Sequence, residues 1–146
     1  MKTFNNIYFL TLILLLILWI PVSISKIFDF ENFRISILNQ PFNKNIAHIV
    51  IYTLPSLEIF VVVLLLIKRT RLIGLLLSGF LLSIFTGYIG LALLDTWKKM
   101  PCGCGLIIST LNWKEHFLIN IFFLCINIFS LIHGYNTRKF PTSSIT

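Results

Sequence analysis

Residues 46–94 read IAHIVIYTLPSLEIFVVVLLLI-KRTR-LIGLLLSGFLLSIFTGYIGLALL. The runs 46–67 and 72–94 are almost wholly apolar, and each exceeds the roughly 18–20 residues needed to cross a bilayer core of about 30 Å. The four residues between them carry three positive charges, Lys68, Arg69 and Arg71. A connection that short and that basic predicts a hairpin of two antiparallel helices turned at a membrane surface. In hydrocarbon every backbone N–H and C=O must be paired within the protein, so apolar runs of this length are helices.

The bulk composition agrees. Of the 146 residues, 57% are hydrophobic and 12% charged, with a mean hydropathy of +0.91. Soluble domains carry about 25% charged residues. Half that fraction cannot cover a water-facing surface. The net charge of +7 sits at the ends of the apolar runs, where it meets anionic headgroups, so nucleic acid is not an expected partner. One membrane domain, 1–133, is expected to use nearly the whole chain, with helices at about 5–24, 46–67, 72–94 and 113–133. The polar, basic residues 134–146 form a tail.

Toward the N-terminus, residues 7–24 form another apolar run, interrupted by Thr11 and Pro21. Ser23 and Ser25 stand at spacing that a signal-peptide cleavage site would have. The basic region before the run is only Lys2, however, so a retained first helix is expected, bent near Pro21. After it, Ile27, Phe30, Phe33 and Ile37 are apolar at helical spacing with Asp29, Glu31 and Arg34 between them. This pattern predicts a short interfacial helix after helix 1. Lys26 and Asp29 are three residues apart and are expected to pair on one face, as a solvated surface pair.

Glu58 is the one carboxylate inside the second run, roughly 13–18 Å from either end at 1.5 Å per residue. At that depth it should face the bundle interior and be paired or protonated. Tyr88, Thr86, Asn120 and His116 are the candidate partners. Its functional reading is a proton-handling or quinone-contacting acid, and its structural reading is a hydrogen bond to another helix. Pro55 frees a backbone carbonyl one turn earlier, which Ser56 could satisfy. In the third run Gly74, Ser78, Gly79, Ser83, Thr86, Gly87 and Gly90 let helices approach closely.

Between the third and fourth runs lies Pro101-Cys102-Gly103-Cys104-Gly105. Two cysteines separated by one glycine close only a tiny disulfide ring, so stabilising a fold is a poor use for them. Small-ring strain makes a disulfide easier to reduce, and Lys98 and Lys99 nearby favour a thiolate. Cys102 and Cys104 are therefore the candidate redox pair. A metal site needs three or four ligands, and only His116 or His48 could complete one, so no metal is assigned. Two uninvolved thiols are the remaining reading. His116 and Asn120 lie four apart on one face of helix 4, near the cysteines, where His116 could hold or shuttle a proton for the thiols or be simply an interfacial histidine. Cys125, near mid-helix, is expected to be a buried, inert thiol.

Four crossings put both termini on one side. Lys2, Lys68, Arg69, Arg71, Arg138 and Lys139 then share that side, against Lys26, Arg34, Lys44, Lys98, Lys99 and Lys114 on the other. The count is equal, but the first set is denser in its short loop, and disulfide chemistry belongs on the oxidising side. The expected topology has cytoplasmic termini and a periplasmic cysteine loop.

Several landmarks fall in a familiar order: Ser25-Lys26 with Asp29-Phe30-Glu31-Asn32-Phe33, then Leu54-Pro55-Ser56-Leu57-Glu58, then Pro101-Cys102-Gly103-Cys104-Gly105, then Trp113 to Asn120. In this order the chain resembles the MauE/DoxX-like family of small bacterial membrane proteins. The resemblance implies an all-α, integral membrane four-helix bundle with an external Cys-x-Cys and an association with redox processes. In that family MauE is linked to maturation of a disulfide-rich periplasmic dehydrogenase subunit and DoxX to thiosulfate:quinone oxidation. By resemblance Cys102 and Cys104 are the redox pair, and Glu58 and Asn120 are polar positions of the bundle interior. The family often has Cys-x-Cys-Phe-Gly and an Arg before the helix-4 Asn. This chain has Gly105-Leu106 and Ile119, so a contact made by that Arg does not carry over.

The combined reading is a thiol–disulfide protein of the bacterial inner membrane, with Lys26, Asp29, Glu58, His116 and Asn120 as supporting polar residues. It exchanges with a periplasmic client, and a membrane quinone is the candidate electron acceptor. The alternative is a non-catalytic small subunit of a larger membrane complex, packed through the Gly79/Gly87 face.

Overall fold

In the computed structural model the described residues are 2–40, 43–94 and 113–139. They form five helices: α1 (Lys2–Phe28), α2 (Phe30–Leu38), α3 (Lys44–Leu66), α4 (Arg71–Leu93) and α5 (Trp113–Lys139). No strand occurs among the described residues. Four helices, with apolar spans Asn6–Phe28, Lys44–Leu66, Arg71–Leu91 and Lys114–Asn136, are long and apolar enough to cross a membrane. The fold is thus the all-α membrane bundle that the apolar runs predict.

The four long helices close a ring in which α1 packs on α3, α3 on α4, α4 on α5, and α5 back on α1. Leu12, Leu15 and Trp19 of α1 meet Val61 and Leu65 of α3 and Leu75, Leu81 and Leu82 of α4 in the core. The outer faces carry Phe9, Ile17, Phe60, Leu76, Phe80, Phe122 and other large apolar side chains, all exposed. Water would penalise such a surface, whereas lipid tails do not.

α1 does not end near residue 24. It runs through Pro21 to Phe28, taking Lys26 into its last turn. The short helix α2 follows and packs on α3, with Phe33 and Ile37 buried against Ala47 and Ile51. The first turns of α3 thus extend past the end of α1 and are covered by α2. α3 is capped by Asn43, whose side chain accepts from the Asn45 N–H at 3.4 Å, one of the donors a helix start leaves unpaired.

The basic turn is built from its own side chains. Thr70 Oγ1 donates to the Leu64 carbonyl and Arg71 Nε to the Leu65 carbonyl, both at 3.1 Å. These are among the carbonyls that the end of α3 leaves without helical partners. Gly74 permits the close return: a Cβ there would lie 3.0 Å from Leu64 Cβ and from the Leu65 backbone nitrogen. At Pro55 the expectation needs correction. Ser56 Oγ donates to the Tyr52 carbonyl at 2.9 Å, not to the Ile51 carbonyl that the proline frees. Cys125 also differs, because it is exposed on the outer face of α5. Finally, α5 continues to Lys139, into the stretch read as a tail.

Candidate functional site

The inward face of α1 repeats through Leu12, Leu15, Trp19, Ser23 and Lys26, all buried and spaced by three or four residues. On α3 the same logic sets Ala47, Ile51, Pro55, Glu58, Val61 and Leu65 inward. The two faces meet at Lys26 and Glu58. The Lys26 ammonium donates to Glu58 Oε1 and forms an ion pair with it. Lys26 is 3% exposed and Glu58 is fully buried.

This pair corrects two expectations. Lys26 does not pair with Asp29 on the surface. Asp29 stands at the start of α2, half-buried, and its Oδ1 accepts from Asn32 Nδ2 at 2.7 Å. Nor is Glu58 held by Tyr88, Thr86, Asn120 or His116, since its partner comes from α1. Thr86 instead donates back to the Leu82 carbonyl at 2.6 Å, and Tyr88 donates to Gln40 at the end of α2.

Two aromatic rings flank the ammonium. Lys26 Nζ lies 5.5 Å from the ring centroids of Phe33 and of Phe85. That is within cation–π range, so the rings offset part of the cost of burying the charge. Beside Lys26 is a cavity of about 30 Å³, lined by Leu18, Trp19, Val22, Lys26, Leu82, Phe85, His116 and Asn120. A water needs at least about 10–15 Å³ of such space, so one or two waters fit. Small-molecule pockets are typically about 300–1,000 Å³, so this cavity is water-sized.

Glu58 Oε2 is buried and, among the described residues, has no hydrogen-bond partner. An unsatisfied buried acceptor costs about 1–3 kcal/mol, and more when charged. Replacing a buried ion pair by apolar residues of similar volume is often neutral or stabilising. Stability is therefore a weak reason for this pair to exist. An ionisable pair at membrane depth, next to a water-sized cavity and a histidine, is instead the place to look for function.

The structure thus brings four of the sequence-derived residues together: Lys26, Glu58, His116 and Asn120. Asp29 stands apart. Cys102 and Cys104 lie outside the described residues. Their stretch is joined to the end of α4 and the start of α5, the end of the bundle where His116 and the last turn of α1 lie. Among the described residues, no group of three or more His, Cys, Asp or Glu could hold a metal ion.

Deeper in the bundle is a second polar layer that sequence reasoning missed. Trp19 Nε1 and Asn127 Nδ2 both donate to Ser78 Oγ, at 2.8 and 2.9 Å. Ser130 Oγ donates to Thr11 Oγ1 further along. Asn127 lies seven residues from Asn120, two turns along the same helix face, and that spacing could have revealed it.

A ring of four lipid-facing helices around a buried ion pair defines a small multi-pass membrane protein with a polar cluster in its bundle. Its family follows from the sequence as a whole: the family model described as "Methylamine utilisation protein MauE" matches residues 4–133, and the chain belongs to that family. No curated protein and no solved structure gives a significant match.

Proposed function

We propose that the chain is a thiol–disulfide redox protein of the bacterial inner membrane, with Cys102 and Cys104 presented on the periplasmic side and the termini in the cytoplasm. What supports this reading is membership of the MauE family together with the Cys-x-Cys in the segment of sequence between α4 and α5. Those two helices also supply Leu82, Phe85, His116 and Asn120 to the wall of the cavity beside Lys26.

In the oxidising direction, a thiolate of a periplasmic client attacks one sulfur of the Cys102–Cys104 disulfide. The S–S bond breaks, a mixed disulfide forms, and the other cysteine leaves as a thiolate. A second client thiolate then attacks the mixed disulfide. The client gains a disulfide and the Cys102/Cys104 pair gains two electrons. A membrane quinone is the proposed acceptor: two electrons and two protons convert it to the quinol and restore the disulfide. The same steps in reverse serve a reducing role.

The test is exchange between the oxidised full-length protein in nanodiscs and a model dithiol peptide. Cys102→Ser and Cys104→Ser should each abolish it. Full exchange by the double serine variant would refute the reading.

A second reading, a non-catalytic subunit of a larger membrane complex, is favoured by one feature. Gly87, Gly90, Leu91, Leu93, Leu94 and Phe117 line an open apolar groove of about 600 Å³ at the α4/α5 edge. A Cβ at Gly87 would meet nothing within 4 Å. Gly87→Leu should then strip a co-purifying partner, and an unchanged complex would count against this reading.

A further inference from the structure

We infer that Glu58, Lys26 and the cavity beside His116 form a buried proton-exchange site, with Glu58 taking up and releasing the proton and His116 controlling its passage. The inference rests on the geometry of the cluster alone. Its failure would leave thiol exchange at Cys102 and Cys104 untouched.

Three observations carry it. First, Glu58 uses one oxygen for Lys26 and keeps the other, Oε2, without a protein partner in a fully buried position. That oxygen can accept a proton without giving up an existing hydrogen bond. Second, Lys26 can remain charged when Glu58 is neutralised. Phe33 and Phe85 each present a ring 5.5 Å from its ammonium, and the cavity next to it has room for one or two waters. Protonation therefore does not strand a bare cation in hydrocarbon. Third, the wall of the cavity contains His116 and Asn120, both nearly buried on the first turns of α5. Imidazole accepts a proton on one nitrogen while donating from the other, so it can relay one between bulk water and the cavity.

The groups facing the pair are accounted for on each helix. Among the described residues, α1 supplies Lys26, α3 Glu58 and α5 His116. α4 contributes only Leu82 and Phe85 to the cavity wall, and α2 faces the ammonium with Phe33. Glu31 and Arg34 of α2 pair with each other on an exposed face. Toward the other end of the bundle the way is filled by Leu12, Leu15, Leu65 and Leu75, all buried. The proton balance is simple. One proton from water at the α5 start passes His116 to the cavity, and Lys26, which lines the cavity and contacts Glu58, links it to the carboxylate. The carboxylate becomes a carboxylic acid, and release reverses the path.

The experiment is isotope-edited infrared spectroscopy of the full chain in nanodiscs. The chain has three glutamates, Glu31, Glu58 and Glu115. With Glu31→Gln and Glu115→Gln, carboxyl-¹³C glutamate labels Glu58 alone and leaves the pair intact. A labelled carboxylic-acid carbonyl band should grow on acidification and shift in D₂O. In His116→Phe its exchange should slow by about a hundredfold, the lower end of what a positioned acid–base group contributes. A labelled band that does not change with pH or D₂O would overturn the inference. So would an exchange rate indifferent to His116→Phe.

Discussion

The bundle contains two polar layers of opposite character. The Trp19–Ser78–Asn127 layer is neutral. The Lys26–Glu58 layer is ionic, lies beside a cavity and leaves Glu58 Oε2 unpartnered. The first layer behaves as glue: neutral side chains from α1, α4 and α5 share one hydroxyl and set the register of three helices. The second is a costly arrangement that glue does not require. Burial in lipid tells these cases apart only through the accounting of partners and charge, since both layers are equally inaccessible.

The sharpest way to break this contrast is to remove one charge. Lys26→Met or Glu58→Leu alone removes one partner of the pair and should cost unfolding stability, up to about 3–5 kcal/mol for an uncompensated buried ion. The cost should be less for Glu58→Leu, because Phe33 and Phe85 still face the ammonium. The double variant Lys26→Met/Glu58→Leu should recover most of that loss, because the pair itself contributes little net stability. Reversible unfolding in mild detergent closes this double-mutant cycle. A double variant no more stable than the worse single would mean that the pair contributes net stability and is structural after all. In the neutral layer, Ser78→Ala should cost less, about 0.6–1.7 kcal/mol, the range of hydrogen bonds between membrane helices. The smallest effect is expected at Gly79. A Cβ there would meet the Asn127 side chain at 3.6 Å, an ordinary contact, so Gly79→Ala should change stability by no more than about 0.5 kcal/mol. A large loss at Gly79 would mean that the neutral layer is as intolerant as the ionic one.

Much of this was legible in the chain. Four apolar runs and the basic Lys68–Arg71 turn specify four lipid-facing helices, because lipid leaves the backbone no other choice. Glu58 stands out because it is a lone carboxylate at membrane depth, and His116 with Asn120 because four residues separate neighbours on a helix face. Lys26 was misread for a physical reason. A lysine at the end of an apolar run usually snorkels to the headgroups, and Asp29 nearby offers an obvious local partner. The true partner lies 32 residues along the chain on another helix, a relation no local spacing encodes. The signal that did exist was periodicity: Lys26 continues the inward face seven residues after Trp19. Ser78 read only as a small packing residue, since its role as shared acceptor depends on two helices brought together by the fold. Ser56 and Cys125 failed for a related reason, because which face of a uniformly apolar helix turns inward is set by its neighbours.

The central claim concerns Cys102 and Cys104, and one measurement reaches it directly: trapping their thiol state in intact cells. A membrane-impermeant maleimide is applied before and after mild reduction, with Cys125→Ser removing the third thiol. The account expects labelling only after reduction, from an exchangeable disulfide on the outer face. Thiols that are free and reactive before reduction would contradict it. So would a pair that reacts only after lysis, which would place the cysteines on the wrong side of the membrane.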